Sequence, residues 1–135
     1  MTATILYEGN LRCNARHLQS NSILETDAPT DNRGKGERFS PTDLVSTALA
    51  TCMITTMAMK ATDMGIELKD TTIDVKKYMV SDPRRITKID VSVSFSKTLQ
   101  LIEKEKTILQ KTGDNCPVIK SLHPDIEINI TYLWQ

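Results

Sequence analysis

Three cysteines, Cys13, Cys52 and Cys116, are the side chains of this sequence best suited to attack an electrophile. They are too few and too widely spaced for a disulfide scaffold. In a reducing compartment each is therefore a buried apolar residue, a metal ligand or a working thiol. Metal binding has little support: no CxxC or HxxxH pair is present, and His17 and His123 are the only histidines. Cys116 with His123 would make a weak, incomplete ligand set. A hydrolase triad is no better served, because the chain has no GxSxG elbow. Packing and thiol chemistry remain.

Cys52 lies in the stretch SPTDLVSTALATCMITTMAMKATDMG, about three turns past its start. A helix dipole fades over that distance, and burial alone raises a thiol pKa. Core packing is thus the default for Cys52, and a nucleophilic role requires an imported cation. Arg38, in GERFSP just ahead, is the nearest candidate; Arg33 and Lys35 come next, then Arg12 and Arg16. Asp43 precedes Cys52 by about two and a half turns and so does not share its face. It either holds an arginine that reaches the sulfur or complements the positive helix N-terminus. Cys116 stands immediately before Pro117, where free N–H groups at a helix start favour thiolate and Asp114 opposes it. The alternative for Cys116 is a partly buried loop cysteine. Cys13 has nothing distinctive around it and reads as structural.

The surrounding pattern says which elements must position these groups. Residues 4–7 alternate before a Gly9-Asn10 turn, residues 11–17 pair back as a hairpin, and a short third strand covers 22–26. The segment APTDNRGKG reads as an exposed loop. Ser40 then caps a long helix, Pro41 occupies its first position and Gly65 stops it. Its apolar residues cover more than one face and no charge falls between Asp43 and Lys60, so it should be buried almost all round. A domain this small cannot easily cover such a helix, which points to a partner subunit. Alternation predicts strands over 73–79 and 89–95 across the SDPRR turn. An amphipathic helix is expected over 98–112, with Leu101, Ile102, Ile108 and Leu109 inward and Gly113 ending it. A short helix from Cys116-Pro117 to Leu122 and a strand over 126–132 complete the chain. That order is α+β with largely antiparallel pairing: antiparallel sheets around a long buried central helix, in one domain spanning 1–135.

Composition narrows the function classes. The 135 residues are 39% apolar and 25% charged, with 17 basic and 17 acidic side chains. No net field attracts nucleic acid or an acidic membrane. Scarce aromatics and a single tryptophan, Trp134, argue against a base-stacking surface. The opening MTATILYEGN lacks the basic start and apolar core of a secretory signal, and no run approaches the roughly 20 apolar residues of a membrane span. A cytoplasmic location is the expectation.

The pairing of SPTDLVSTALATCM with the later NCPVIKSLHPDIEINI resembles the OsmC/Ohr family, the osmotically inducible and organic hydroperoxide resistance proteins, and within it the broader OsmC-like branch. The likeness extends over nearly the whole chain. It implies that Cys52 is the peroxidatic cysteine and Cys116 the resolving one. It also implies an intertwined homodimer with two central long helices and sites at the subunit interface. Thr42 stands where Ohr and OsmC proper carry an activating glutamate; Asp43 corresponds to the carboxylate of the OsmC-like branch, and Arg38 is the activating arginine chosen by proximity. The expected activity is reduction of an organic hydroperoxide by Cys52, closure of a Cys52–Cys116 disulfide, and its reduction by an external thiol, with neither metal nor organic cofactor. The rival is a non-catalytic OsmC-like dimer that binds an apolar ligand or a protein partner.

Overall fold

The computed structural model describes all 135 residues, which form two compact units, Met1–Val45 and Ser46–Gln135. The first is built on a three-stranded antiparallel sheet in the order β1 (Ala3–Gly9), β2 (Arg12–His17), β3 (Ile23–Asp27). The β1–β2 turn places Gly9, Asn10 and Leu11 at positive φ, and the register slips between Tyr7 and Gly9. Ile5, Leu6, Tyr7, Ile23 and Leu24 are all exposed, so apolar side chains stand on both faces of this sheet.

After β3 the loop folds back on itself. A single 3-10 turn covers Thr30–Asn32, the Gly34 amide donates to the Pro29 carbonyl, and the Gly36 amide donates to the Ala28 carbonyl. A Cβ on Gly34 would fall onto the Ala28 backbone, so only glycine allows this approach. Arg12 fastens the fold-back with a two-pronged bond to Asp27, at 2.7 and 2.8 Å, and a third to Glu37 at 2.9 Å. The Glu37 amide also donates to Asp27. Asp27 is 2% exposed, and the guanidinium beside it holds its carboxyl below the usual carboxylate range.

The long helix α1 (Pro41–Asp63) begins with a reciprocal cap: the Asp43 amide donates to Ser40 Oγ and the Ser40 amide donates to Asp43 Oδ2. In the second unit its buried positions are Ser46, Leu49, Ala50, Met53, Met57 and Ala61, one stripe at helical spacing. Within one chain the helix is therefore covered along a stripe, not almost all round. Met59 is 60% exposed on the remaining surface. By length and composition alone α1 is apolar enough to span a bilayer, against the expectation that no run approaches this. Its buried stripe belongs instead to a common core with the second sheet.

That sheet runs β4 (Thr72–Val80), β5 (Arg85–Ser94), β6 (Glu127–Leu133). β4 pairs antiparallel with β5, whereas β6 pairs parallel with it. Three of the four strand pairings are thus antiparallel, as largely expected, and the last is not. A parallel return needs a long crossover, supplied here by α2 (Glu103–Gly113) and α3 (Pro117–Ser121). β5 is central, and Ile86, Ile89, Val91 and Val93 are buried on its inner face. Registration sets Val75 beside Val91 and Val91 beside Ile130; one step along, Ile73, Val93 and Tyr132 form the next row.

α2 starts five residues later than the periodicity suggests. Ser96 and Thr98 make a local hydroxyl turn, and the Ile102 amide donates to Glu105 Oε2 at 3.0 Å, so the helix opens at Glu103. Ile102 consequently lies outside the helix and is 65% exposed, not inward as the apolar pattern predicts. Beyond β5, Phe95 stacks on Trp134 at 3.7 Å between ring centroids, with Tyr132 beside both.

Candidate active site

Cys52 sits midway along α1, flanked by the buried Met53 on one side and the exposed Thr51 on the other, and is itself half-buried. Thr56, one turn on, donates its hydroxyl to the Cys52 carbonyl at 2.7 Å and comes within 4.0 Å of the sulfur. Cys116 arrives from the far end of the sequence, and it does so through helix termini. α2 ends at Gly113, the Cys116 amide donates to the Gly113 carbonyl, and Cys116 becomes the extended residue ahead of Pro117 in α3. Pro117 suits that first helical position, where an amide hydrogen would have no partner.

Both thiols lie in the second unit and both are free, and Cys52 is near enough to act on the Cys116 pKa. Their environments differ. Cys116 is fully buried, and burial is the main reason its pKa lies above the ordinary thiol value of 9.0. The amides of Ile119 and Val118 face its sulfur and pull the other way, without either closing a regular cap bond. The hydrogen bond to Cys52 and any negative charge there push it further up. Burial thus outweighs the helix start that the sequence suggested would favour thiolate at Cys116. Cys116 therefore holds its proton more firmly than an ordinary thiol.

The other residues singled out from the sequence lie in the first unit. Arg38 donates to Glu25 at 2.7 Å and to the Glu37 carbonyl at 3.1 Å. Arg12 is held more firmly protonated by its bonds to Asp27 and then Glu37. Asp43 exchanges two bonds with Ser40 at the start of α1. Cys13 lies on β2 opposite Tyr7 and Thr26. No group of three or more His, Cys, Asp or Glu side chains is placed to hold a metal ion.

Two residues in the second unit escaped the sequence reading. Gly113, expected only as a helix stop, is the last helical residue and buried; a Cβ there would lie 2.7 Å from the Tyr132 hydroxyl and 2.8 Å from Met57 Sδ. Tyr132, expected only as a strand residue, donates to Asp114 Oδ1 at 2.8 Å. No local pattern announces either, because both contacts join segments distant in sequence.

The second unit thus combines a mid-helix cysteine and a Cys-Pro turn with a mixed sheet and helices. The family model described as OsmC-like protein matches residues 34–131, and the chain belongs to that family. A crystal structure of a protein from Psychrobacter arcticus 273-4, provisionally described as an osmotic stress induced and detoxification response protein, is 46% identical. The match covers 98% of this chain and 95% of that one, with a TM-score of 0.93. The fold is shared with the organic hydroperoxide resistance protein OsmC of Legionella pneumophila, at 14% identity, TM-score 0.75 and coverage of 98% and 97%. It is shared also with the organic hydroperoxide resistance protein OhrB of Bacillus subtilis, at 16% identity, TM-score 0.66 and 98% coverage of each chain. No curated protein matches the sequence.

Proposed function

We propose that this chain is a thiol-dependent peroxidase acting on organic hydroperoxides in a reducing compartment such as the cytoplasm. The observation that carries the reading is that two free thiols remote along the chain come near enough for one to act on the other's pKa, with burial keeping Cys116 protonated. Cys52, as thiolate, attacks the distal peroxide oxygen; the O–O bond breaks, alcohol leaves with a proton, and Cys52 becomes a sulfenic acid. Cys116 then attacks the Cys52 sulfur, its proton leaves with the hydroxyl as water, and a disulfide forms. Two equivalents of an external thiol restore the pair. Among similar folds, three are named as organic hydroperoxide resistance proteins, which supports the choice of oxidant.

The direct test is mass spectrometry of the reduced protein after one equivalent of cumene hydroperoxide. The expected product has lost two hydrogens and yields a Cys52–Cys116 cross-linked peptide. Unaltered thiols would instead favour a binding protein that uses the same fold without chemistry.

The functional unit in this reading is a homodimer. Apolar side chains are exposed on both faces of the β1–β3 sheet, and α1 leaves Met59 uncovered. The α1 threonines also satisfy themselves: Thr51, Thr55 and Thr62 each donate to a carbonyl one turn back. A hydroxyl already bonded within its own helix costs little to bury against a second subunit. Sedimentation equilibrium should return twice the chain mass at micromolar concentration; a monomer there would remove the dimer from the proposal.

A further inference from the structure

A side chain of β6 reaches the turn that delivers Cys116. The Tyr132 hydroxyl donates to Asp114 Oδ1 at 2.8 Å and lies 3.3 Å from the Gln110 carbonyl. Asp114 is the residue just past α2, its own amide already bonded to Gln110, and it stands two positions before Cys116. Tyr132 reaches it because Gly113 has no side chain: the hydroxyl occupies the notch where a Cβ would be, and Met57 of α1 closes the same notch. The ring is fixed in turn by the Phe95–Trp134 row. Asn115 adds only a bond back into its own helix, to the Lys111 carbonyl.

The Tyr132 hydroxyl thus ties the residue just past α2 to β6, two positions before Cys116. Burial and the adjacent carboxylate keep the Tyr132 phenol protonated well beyond its ordinary range, so it remains a donor throughout the working pH of a thiol enzyme.

We propose that Tyr132 is a positioning residue for the second thiol: held in the Gly113 notch, its hydroxyl pins Asp114 and so aims Cys116 at an oxidised Cys52. This rests on the paired-thiol reading above and adds to it a residue that touches neither peroxide nor the reacting oxygen. Displacing a reacting atom by about 1 Å costs up to about a hundredfold in rate. Loss of the hydroxyl is therefore expected to slow ring closure while leaving the first chemical step alone.

The test compares wild type with Tyr132→Phe, which removes one oxygen, and Asp114→Ala, which removes the acceptor from an exposed position. Asp114→Asn keeps an acceptor oxygen and serves as the rescue. After a single equivalent of cumene hydroperoxide, loss of peroxide should proceed within about twofold of wild type in every variant. The Cys52 sulfenic acid, trapped with dimedone, should persist about tenfold longer or more in Tyr132→Phe and Asp114→Ala, and return toward wild type in Asp114→Asn. A general loss of structure would slow both steps together.

A second arm uses glutathione disulfide as the oxidant. Cys52 attacks one sulfur, releases the first reduced glutathione and carries the other half as a mixed disulfide; Cys116 then displaces a second reduced glutathione as the internal disulfide closes. The same two variants should release the second equivalent about tenfold more slowly, and the first at the wild-type rate. This arm decides the positioning role even if peroxide proves not to be the oxidant. Closure at the wild-type rate in Tyr132→Phe would overturn the proposal.

Discussion

Cys52→Ser is expected to reduce cumene hydroperoxide consumption with dithiothreitol to the buffer rate, a loss of about a thousandfold or more. A serine hydroxyl is negligibly ionised near neutral pH, whereas a thiol always supplies some thiolate and is intrinsically more nucleophilic. Cys116→Ser separates the two halves of the cycle: the first equivalent of peroxide is still consumed, and a sulfenic acid then accumulates. The pH dependence should divide the same way. Ring closure requires the Cys116 thiolate, and burial places that ionisation above the ordinary value of 9.0. Lifetime of the wild-type sulfenic acid should therefore shorten as pH rises, and keep shortening past 9.0, because the thiolate fraction is still growing there. In Cys116→Ser the lifetime should lose this rise. Peroxide consumption at the wild-type rate in Cys52→Ser would end the enzymatic reading.

Phe95→Ala should produce the largest loss of stability of any single truncation in the second unit. Phe95 is 2% exposed and lies flat on Trp134, 3.7 Å between centroids and 4° between planes. Emptying such a site removes the transfer free energy of the ring and leaves a cavity, together about 3–5 kcal/mol. Against a total of about 5–15 kcal/mol for an ordinary domain, that is a large share. Trp134 is the only tryptophan, so its emission reports on this contact directly. Urea unfolding followed by fluorescence should give a lower midpoint with an unchanged slope. A shift worth under about 1 kcal/mol would mean that the ring is not where the core depends on it.

The strands and helices were readable in the sequence where one local rule sufficed. Alternation in 73–79, 89–95 and 126–132 gave β4, β5 and β6 within a residue or so at most ends, because each strand has one face against the core. Ser40, Pro41 and Asp43 marked the start of α1 through capping chemistry that operates within four residues. The Cys-Pro step likewise marked α3. Reading failed where a local competitor intervened, as when hydroxyl turns at Ser96 and Thr98 postponed α2 and left Ile102 exposed.

Only the three-dimensional arrangement decided how the thiols are tuned and held. From the sequence, the helix start beside Cys116 favours its thiolate and Asp114 opposes it; in the folded chain it is fully buried, and loss of solvent outweighs two nearby amides. Arg38, chosen because it is near in sequence, turns out to be bonded to Glu25 on β3, a neighbour that only the strand layout could supply. The parallel pairing of β6 with β5 is invisible in the strand's own alternation, which is the same for either direction. Yet that pairing is what carries Tyr132 to the end of α2 and into the notch at Gly113. Residue type and local spacing determined the elements and nominated two cysteines. Burial, strand direction and the absence of one Cβ are properties of packing between remote segments, and they set the surroundings of Cys116.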